Sequence, residues 1–146
     1  MTRILYTTSA TASGGGRNGH SQTANGRVSV DLSVPREMGG DGGPGTNPEE
    51  LFATGYAACF LGALGGVARK EKTKLPEGTT VTATVSFADR EDGAGYTIVP
   101  RLAAFIPGFD KAQTEAFMQR AHQMCPYSHL ITATHEVELT AELAAA

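Results

Sequence analysis

Two cysteines, at positions 59 and 125, are the residues in this sequence best suited to redox chemistry. They do not form a CxxC motif. The N-terminal stretch 1–13 lacks the apolar core of a secretory signal, so we expect a cytoplasmic protein. Because cytoplasmic thiols are normally kept reduced, the pair is more typical of working thiols than of a structural disulfide. Either cysteine taken alone is more often a small core hydrophobe, because cysteine is among the residues most frequently buried.

The local sequence gives the two thiols opposite settings. Cys125 precedes Pro126, which can begin a helix, and the free N–H groups of a helix start would stabilise a thiolate there. Cys59 lies in the middle of an apolar stretch, so its pKa should rise unless a cation is brought to it. The residues alone therefore favour Cys125 as the better thiolate.

Two charged residues could act on these thiols. Arg17 is the only charge in the glycine cluster 14–19, whose backbone could fold over a pocket, although a solvated loop position is the simpler interpretation. Glu49 lies ten residues before Cys59, which is about 15 Å along a helix, and a carboxylate at a helix start also complements the helix dipole. If Glu49 belongs to the same site, it must act through a long partner such as Arg17 or come from a second subunit.

Three other motifs find little support in their context. The cluster 14–19 contains G-x-G-x-x-G, but a strand-like segment follows where a dinucleotide-binding motif needs a helix. His122, Cys125 and His129 have the spacing of a partial metal site, yet a fourth ligand is not evident. Ser128 has no His and acid partners at the spacing of a hydrolase triad.

A long helix over 47–69 is the central element that we predict. Asn47 suits the N-cap, Pro48 the first helical position and Glu50 the capping-box position. The residues that follow are apolar or small on every side, which predicts a buried helix. Its polar ends and many glycines argue against a membrane span.

The rest of the chain predicts an α+β protein in which antiparallel sheets wrap around that helix, as a single domain over 1–146. Asn25-Gly26 is a strong hairpin signal, the glycine-rich stretch 38–46 predicts a flexible connector, and Pro100 implies an edge position or a bulge. Predicted strands cover 4–12, 20–24, 27–35, 79–89, 96–106 and 135–143, and a second helix over 110–124 is interrupted at 125–126.

The segments TNPEELFATGYAACFLGAL (46–64) and CPYS (125–128), with Arg17 in a glycine loop upstream, resemble the organic hydroperoxide resistance proteins. These form a branch of the family that also contains the osmotically induced protein C type. The resemblance covers the chain from its first predicted strand to its last. It implies the OsmC-like fold and an intertwined homodimer with two sites at the interface.

The resemblance also implies a cysteine-based peroxidase for organic and lipid-derived hydroperoxides, active in the response to oxidative stress. By position, Cys59 corresponds to the peroxidatic cysteine, Cys125 to the resolving one, Arg17 to the thiolate-stabilising arginine and Glu49 to the acid that holds it. Turnover would need no bound cofactor or metal, and the external reductant would be a dithiol of the dihydrolipoamide type. This assignment opposes the local preference for Cys125, because an ion pair with arginine can keep a desolvated thiolate ionised.

The expected partners are an organic hydroperoxide, a lipoylated protein or other dithiol, and a second copy of the chain. A net charge of −3 gives no basic face for nucleic acid or an acidic membrane. His129-Leu130 departs from the family pattern after CPYS and could alter the pocket near Cys125. The competing classes are a redox sensor that switches shape without turnover and a structural domain with two buried cysteines.

Overall fold

The computed structural model describes residues 3–145, which form two compact units that divide between Leu51 and Phe52. The single-domain prediction is not tested by this division and stays a prediction. The first unit contains strands β1 (Ala10–Ser13), β2 (His20–Thr23) and β3 (Ser29–Asp31) and a short 3-10 helix, Arg36–Met38. Helix α1 (Pro48–Lys70) begins in the first unit and continues into the second. The second unit adds β4 (Thr80–Asp89), β5 (Tyr96–Phe105), α2 (Lys111–Met124), α3 (Pro126–Ile131) and β6 (Glu138–Glu142).

The first unit is built on an antiparallel sheet in the order β1-β2-β3. The predicted hairpin is present, with its turn closed by a hydrogen bond from Gly26 N–H to the Thr23 carbonyl. Strand β1 begins at Ala10, later than predicted, because its partner β2 ends at Thr23, which pairs with Ala10. Residues 4–6 are consequently outside the sheet, and their three apolar side chains are exposed.

The segment 38–46, predicted to be a flexible connector, is tied to the preceding residues by backbone hydrogen bonds. Gly39 N–H bonds the Arg36 carbonyl, and Thr46 N–H bonds the Asp31 carbonyl. A return bond runs from Ser33 N–H to the Thr46 carbonyl. This stretch therefore fixes where α1 begins.

Helix α1 begins as its sequence predicts, but it is not buried on every side. The Asn47 side chain accepts a hydrogen bond from Glu50 N–H at 2.8 Å, as an N-cap does. The stripe Tyr56, Phe60, Leu64 and Val67 is fully buried. The face with Thr54, Ala58 and Gly62 is exposed, so the prediction of all-round burial is wrong for the single chain. Large residues take the buried stripe and small ones the exposed stripe, so an apolar composition on every side did not mean burial on every side.

Among the described residues, α1 is also the one helix long and apolar enough to cross a membrane, with a mean hydropathy of 1.6. Core helices of globular proteins pass the same test. Length and hydropathy alone therefore do not assign α1 to a membrane.

The second unit contains a mixed sheet in the order β4-β5-β6. Strands β4 and β5 pair antiparallel, but β6 pairs parallel to β5, which differs from the antiparallel arrangement predicted for the last strand. A parallel pair needs a long crossover, and α2 and α3 supply it. Pro100 lies in the central strand, yet the ladder with β6 starts only at Arg101. At Pro100 the strand is therefore paired on one side only, as an edge strand is, although β5 is the central strand from Arg101 onward.

The core of the second unit packs α1 against β5 and α2. Strand β5 and the residue after it contribute Leu102, Ala104 and Ile106, and α2 contributes Met118 and Ala121. Asp110 caps α2 through a capping box with Gln113, as predicted for its start. Cys125 belongs to this core, at the point where α2 ends and α3 begins.

Candidate active site

The two cysteine side chains meet within the second unit. The Sγ atoms of Cys59, on α1, and Cys125, between α2 and α3, are 3.4 Å apart, and both thiols are free. A disulfide bond is about 2.05 Å long, so the sulfurs need to approach by roughly 1.4 Å to become linked. The arrangement permits a reversible dithiol–disulfide couple.

Cys125 is fully buried and its backbone is held on both sides. Its N–H bonds the Ala121 carbonyl of α2 at 2.8 Å, and its carbonyl accepts from His129 N–H of α3 at 2.9 Å. Its side chain makes no cap hydrogen bond with α3. The helix-start stabilisation that the sequence suggested for a Cys125 thiolate therefore has no hydrogen bond to support it.

The N–H donor at the start of α3 serves the other thiol. Burial raises the pKa of Cys59, and the nearby Cys125 thiol adds to the rise, while a hydrogen bond from the Tyr127 backbone N–H acts in the opposite direction. This direction agrees with the prediction for a mid-helix thiol among apolar groups. Cys59 is only partly buried, so it is the more exposed of the two cysteines.

A buried hydroxyl pair, which no motif in the sequence indicated, accompanies the thiols. Tyr56 Oη and Ser128 Oγ are 2.7 Å apart, and both residues are fully buried. Burial raises the pKa of Tyr56, and the hydrogen bond with Ser128 opposes that rise. The signal in the sequence is spacing, because Tyr56 stands three residues before Cys59 on one face of α1, and Ser128 stands three residues after Cys125, the N-cap of α3.

Aromatic rings surround the hydroxyl pair. The Tyr56 ring lies 5.8 Å from Phe52 and 5.7 Å from Tyr127, centroid to centroid. Gly55 permits this packing, because a Cβ atom there would stand 2.6 Å from Tyr127 Oη. The glycine in the GYAAC segment thus has a steric role.

The predicted charged partners form their own pair within the first unit. Arg17 donates two hydrogen bonds to the Glu49 carboxylate, at 2.9 and 2.7 Å, in the bidentate geometry typical of strong arginine–carboxylate pairs. The bonds from Arg17 lower the pKa of Glu49, and the bond to Glu49 raises the pKa of Arg17. The glycine loop is required locally, since a Cβ on Gly19 would stand 2.0 Å from the Ser13 carbonyl oxygen. Of the four predicted site residues, the structure thus joins Arg17 to Glu49 in one unit and Cys59 to Cys125 in the other.

No group of three or more His, Cys, Asp or Glu side chains suited to a metal ion occurs within residues 3–145. The spacing of His122, Cys125 and His129 therefore produces no metal cluster in this part of the chain. Burial lowers the pKa of His122, whose Nδ1 is buried without a hydrogen-bond partner.

Comparison with known proteins assigns this chain to a family. The model of the family described as OsmC-like protein matches residues 39–140. An organic hydroperoxide resistance protein of Xanthomonas axonopodis pv. citri is 44% identical over 138 residues, covering 94% of this chain and 95% of the relative. The chain belongs to the OsmC-like family, in its organic hydroperoxide resistance branch. The resemblance read from 46–64 and 125–128 is thereby confirmed.

Solved structures of organic hydroperoxide resistance proteins confirm the α+β fold with a long central helix. The protein from Legionella pneumophila has a TM-score of 0.88 and 42% identity, covering 97% of this chain and 100% of its own. The OhrB protein of Bacillus subtilis has a TM-score of 0.85 and 34% identity, covering 95% and 100%. Family membership connects the chain with resistance to organic peroxides under oxidative stress.

Proposed function

We propose that the protein is a thiol-dependent peroxidase that reduces organic, lipid-derived hydroperoxides to alcohols. The observation that carries this proposal is the approach of two free thiols to 3.4 Å in a chain of the organic hydroperoxide resistance branch. Two thiols at this distance can donate two electrons to one peroxide and become a disulfide.

In the first step, the Cys59 thiolate attacks one oxygen of the peroxide bond. The O–O bond breaks, the alkoxide takes a proton and leaves as the alcohol, and Cys59 becomes a sulfenic acid. Because burial raises the pKa of Cys59, the thiolate needs a nearby cation to be abundant near neutral pH. We assign that role to Arg17, oriented by its two hydrogen bonds to Glu49.

In the second step, Cys125 attacks the sulfenyl sulfur of Cys59. An S–S bond forms, the S–O bond breaks, and the hydroxyl leaves as water with the proton of the Cys125 thiol. An external dithiol of the dihydrolipoamide type, free or on a lipoylated protein, then restores both thiols by exchange and becomes a disulfide itself. No bound cofactor takes part in this cycle. The apolar residues Met38, Leu51 and Phe52 favour an apolar organic hydroperoxide over hydrogen peroxide as the substrate.

We further propose that the working form is an intertwined homodimer of a single-domain chain, located in the cytoplasm. Two exposed surfaces support the association of this chain with a second copy. Ile4, Leu5 and Tyr6 expose apolar side chains ahead of β1, and α1 exposes its small-residue face. Light scattering at several protein concentrations tests this part, and a monomer at every concentration would contradict it.

The test of the activity is consumption of an organic hydroperoxide, with hydrogen peroxide in parallel and with dihydrolipoamide or glutathione as reductant. Fast turnover of the organic peroxide with the dithiol, and slow turnover with glutathione, would support the proposal. Cys59→Ser is the matched inactive control. If both cysteines are oxidised once and no dithiol restores them, the redox-sensor interpretation replaces the enzyme.

A further inference from the structure

Helix α1 contacts the junction of α2 and α3 at two adjacent points. One contact joins Cys59 to Cys125 at 3.4 Å, and the other joins Tyr56 to Ser128 at 2.7 Å. The four residues are arranged in register, because each hydroxyl residue lies three positions from the cysteine in its own segment. Tyr56 and Cys59 share one face of α1, because residues three apart on a helix are neighbours, and Cys125 is the N-cap of the helix that carries Ser128.

The hydroxyl contact is the stiffer of the two. It is a short hydrogen bond between two fully buried groups, where no water competes for either oxygen. The Tyr56 ring is further restricted by Phe60 at 6.5 Å and by Tyr127 at 5.7 Å. The thiol contact, in contrast, is a weak interaction that must shorten by roughly 1.4 Å when the disulfide forms.

We propose that Tyr56 and Ser128 are positioning residues for disulfide formation, because their hydrogen bond holds α1 against α3 while the two sulfurs approach each other. This inference rests on the proposed function, of which it refines the second step. The hydroxyl pair exchanges no electrons and holds the segments at the distance from which side-chain rotation of the cysteines completes the bond. Backbone hydrogen bonds to Ala121 and from His129 fix Cys125 from the other direction.

The consequence is a separation of the two chemical steps. Oxidation of Cys59 by the peroxide does not require Cys125 to be close, so loss of the hydroxyl pair should leave this step within about twofold of the native rate. Condensation of the sulfenic acid with Cys125 depends on geometry, so it should slow by about tenfold or more. Loss of the hydroxyl pair should also shift the equilibrium between the two thiols and the disulfide toward the thiols.

The test uses Tyr56→Phe, Ser128→Ala and the double variant in the full chain. Tyr96→Phe is the matched control, because it removes the hydroxyl of an exposed tyrosine on β5. Each protein is equilibrated with mixtures of reduced and oxidised dithiothreitol, and the fraction with a Cys59–Cys125 disulfide is measured. This measurement involves no peroxide, so its outcome is independent of peroxidase activity.

A second measurement follows each variant after one equivalent of tert-butyl hydroperoxide, with dimedone present to trap sulfenic acid. We expect the single variants to need a more oxidising mixture to form the disulfide, and to accumulate the dimedone adduct at Cys59. The double variant should be no worse than the poorer single variant, because both changes remove one hydrogen bond. Tyr96→Phe should match the native protein.

Three results would overturn the inference. These are unchanged disulfide equilibria in both single variants, equal slowing of Cys59 oxidation and disulfide formation, or fully additive effects in the double variant. A native protein that forms the disulfide with oxidised dithiothreitol, but whose Cys59 does not react with the hydroperoxide, would contradict the proposed function. The equilibrium measurement would still decide whether Tyr56 and Ser128 position the thiols.

Discussion

The two units of the molecule hold their functional side chains by different forces. Among residues 3–51, Leu32 is the one hydrophobic side chain that is buried, and the candidate residues Arg17 and Glu49 are joined by charge-assisted hydrogen bonds. In the second unit the two thiols are part of a packed apolar core, with Cys125 fully buried. The charged pair remains 40% and 13% exposed at its side chains, so its geometry depends on two hydrogen bonds and on the glycine loop that carries Arg17.

The comparison shows a division of chemical tasks. A charged pair is stable where water still reaches it, since desolvation costs charged groups more than their attraction returns. The thiol pair is held by apolar packing, with Cys125 buried and Cys59 partly buried, and burial raises the pKa of Cys59.

The largest effect should come from the thiols themselves. Cys59→Ser should abolish hydroperoxide turnover, because it removes the proposed nucleophile. Cys125→Ser should permit one reduction event and leave a sulfenic acid at Cys59 that dimedone traps. Steady-state assays and mass spectrometry of both variants decide the roles. Equal residual turnover in the two variants would show that the assignment of peroxidatic and resolving cysteines is wrong.

The next effect should come from the charged pair. Arg17→Ala should raise the pKa of Cys59 still further, and the rate of reaction near pH 7 should fall about tenfold for each pKa unit. Glu49→Gln keeps the size of the side chain but removes one of the two oxygens that hold Arg17, so the less firmly oriented Arg17 should give a smaller change in the same direction. The measurement is the pH profile of Cys59 alkylation, with Arg17→Lys as the control that keeps the charge. An unchanged pH profile in Arg17→Ala would show that Arg17 does not stabilise the Cys59 thiolate.

Loss of core packing should affect stability more than chemistry. Leu64 is fully buried in the core of the second unit, so Leu64→Ala should lower the free energy of unfolding by about 2–5 kcal/mol. Val28, in the first unit, is 43% exposed, and Val28→Ala should change the free energy of unfolding by less than about 0.5 kcal/mol. Urea unfolding of both variants measures the difference. Similar losses in the two would mean that the first unit depends on apolar packing as much as the second.

The smallest effect should come from a surface pair on the first sheet. His20 Nδ1 lies 2.8 Å from Asp31 Oδ1 across β2 and β3, and this hydrogen bond raises the pKa of His20. A raised folded-state pKa means that the pair's stabilisation is complete below the unfolded value of about 6.5 and is lost as the pH rises through the folded value. Asp31→Asn should lower the His20 pKa in an NMR titration. A His20 titration that is the same in Asp31→Asn and the native protein would exclude this pairing.

Local signals in the sequence predicted most elements of the fold. The cap residues Asn47 and Asp110 mark the starts of α1 and α2, and Asn25-Gly26 marks the hairpin. These succeed because caps and turns depend on neighbouring residues alone. The parallel pairing of β6 and the exposed face of α1 were not predictable in the same way, since both depend on which distant segment lies alongside.

The candidate site shows the same limit. Motif residues identified Cys59 and Cys125 as a pair. The local sequence predicted that the N–H groups at the start of α3 would stabilise Cys125, whereas in the structure the Tyr127 N–H bonds Cys59. The Tyr56–Ser128 hydrogen bond was missed because its partners come from different segments of the chain. Their common spacing from the cysteines indicates a contact only when the two segments are known to lie side by side.

The most direct test of the central claim is a single-turnover experiment on the reduced protein. One equivalent of an organic hydroperoxide is added, and peptide mass spectrometry then locates the oxidised sulfur in the native chain and in Cys125→Ser. We predict a Cys59–Cys125 disulfide and one equivalent of alcohol in the native protein, and a dimedone-reactive Cys59 in the variant. Oxidation that begins at Cys125, or a native protein that produces no alcohol, would contradict the account.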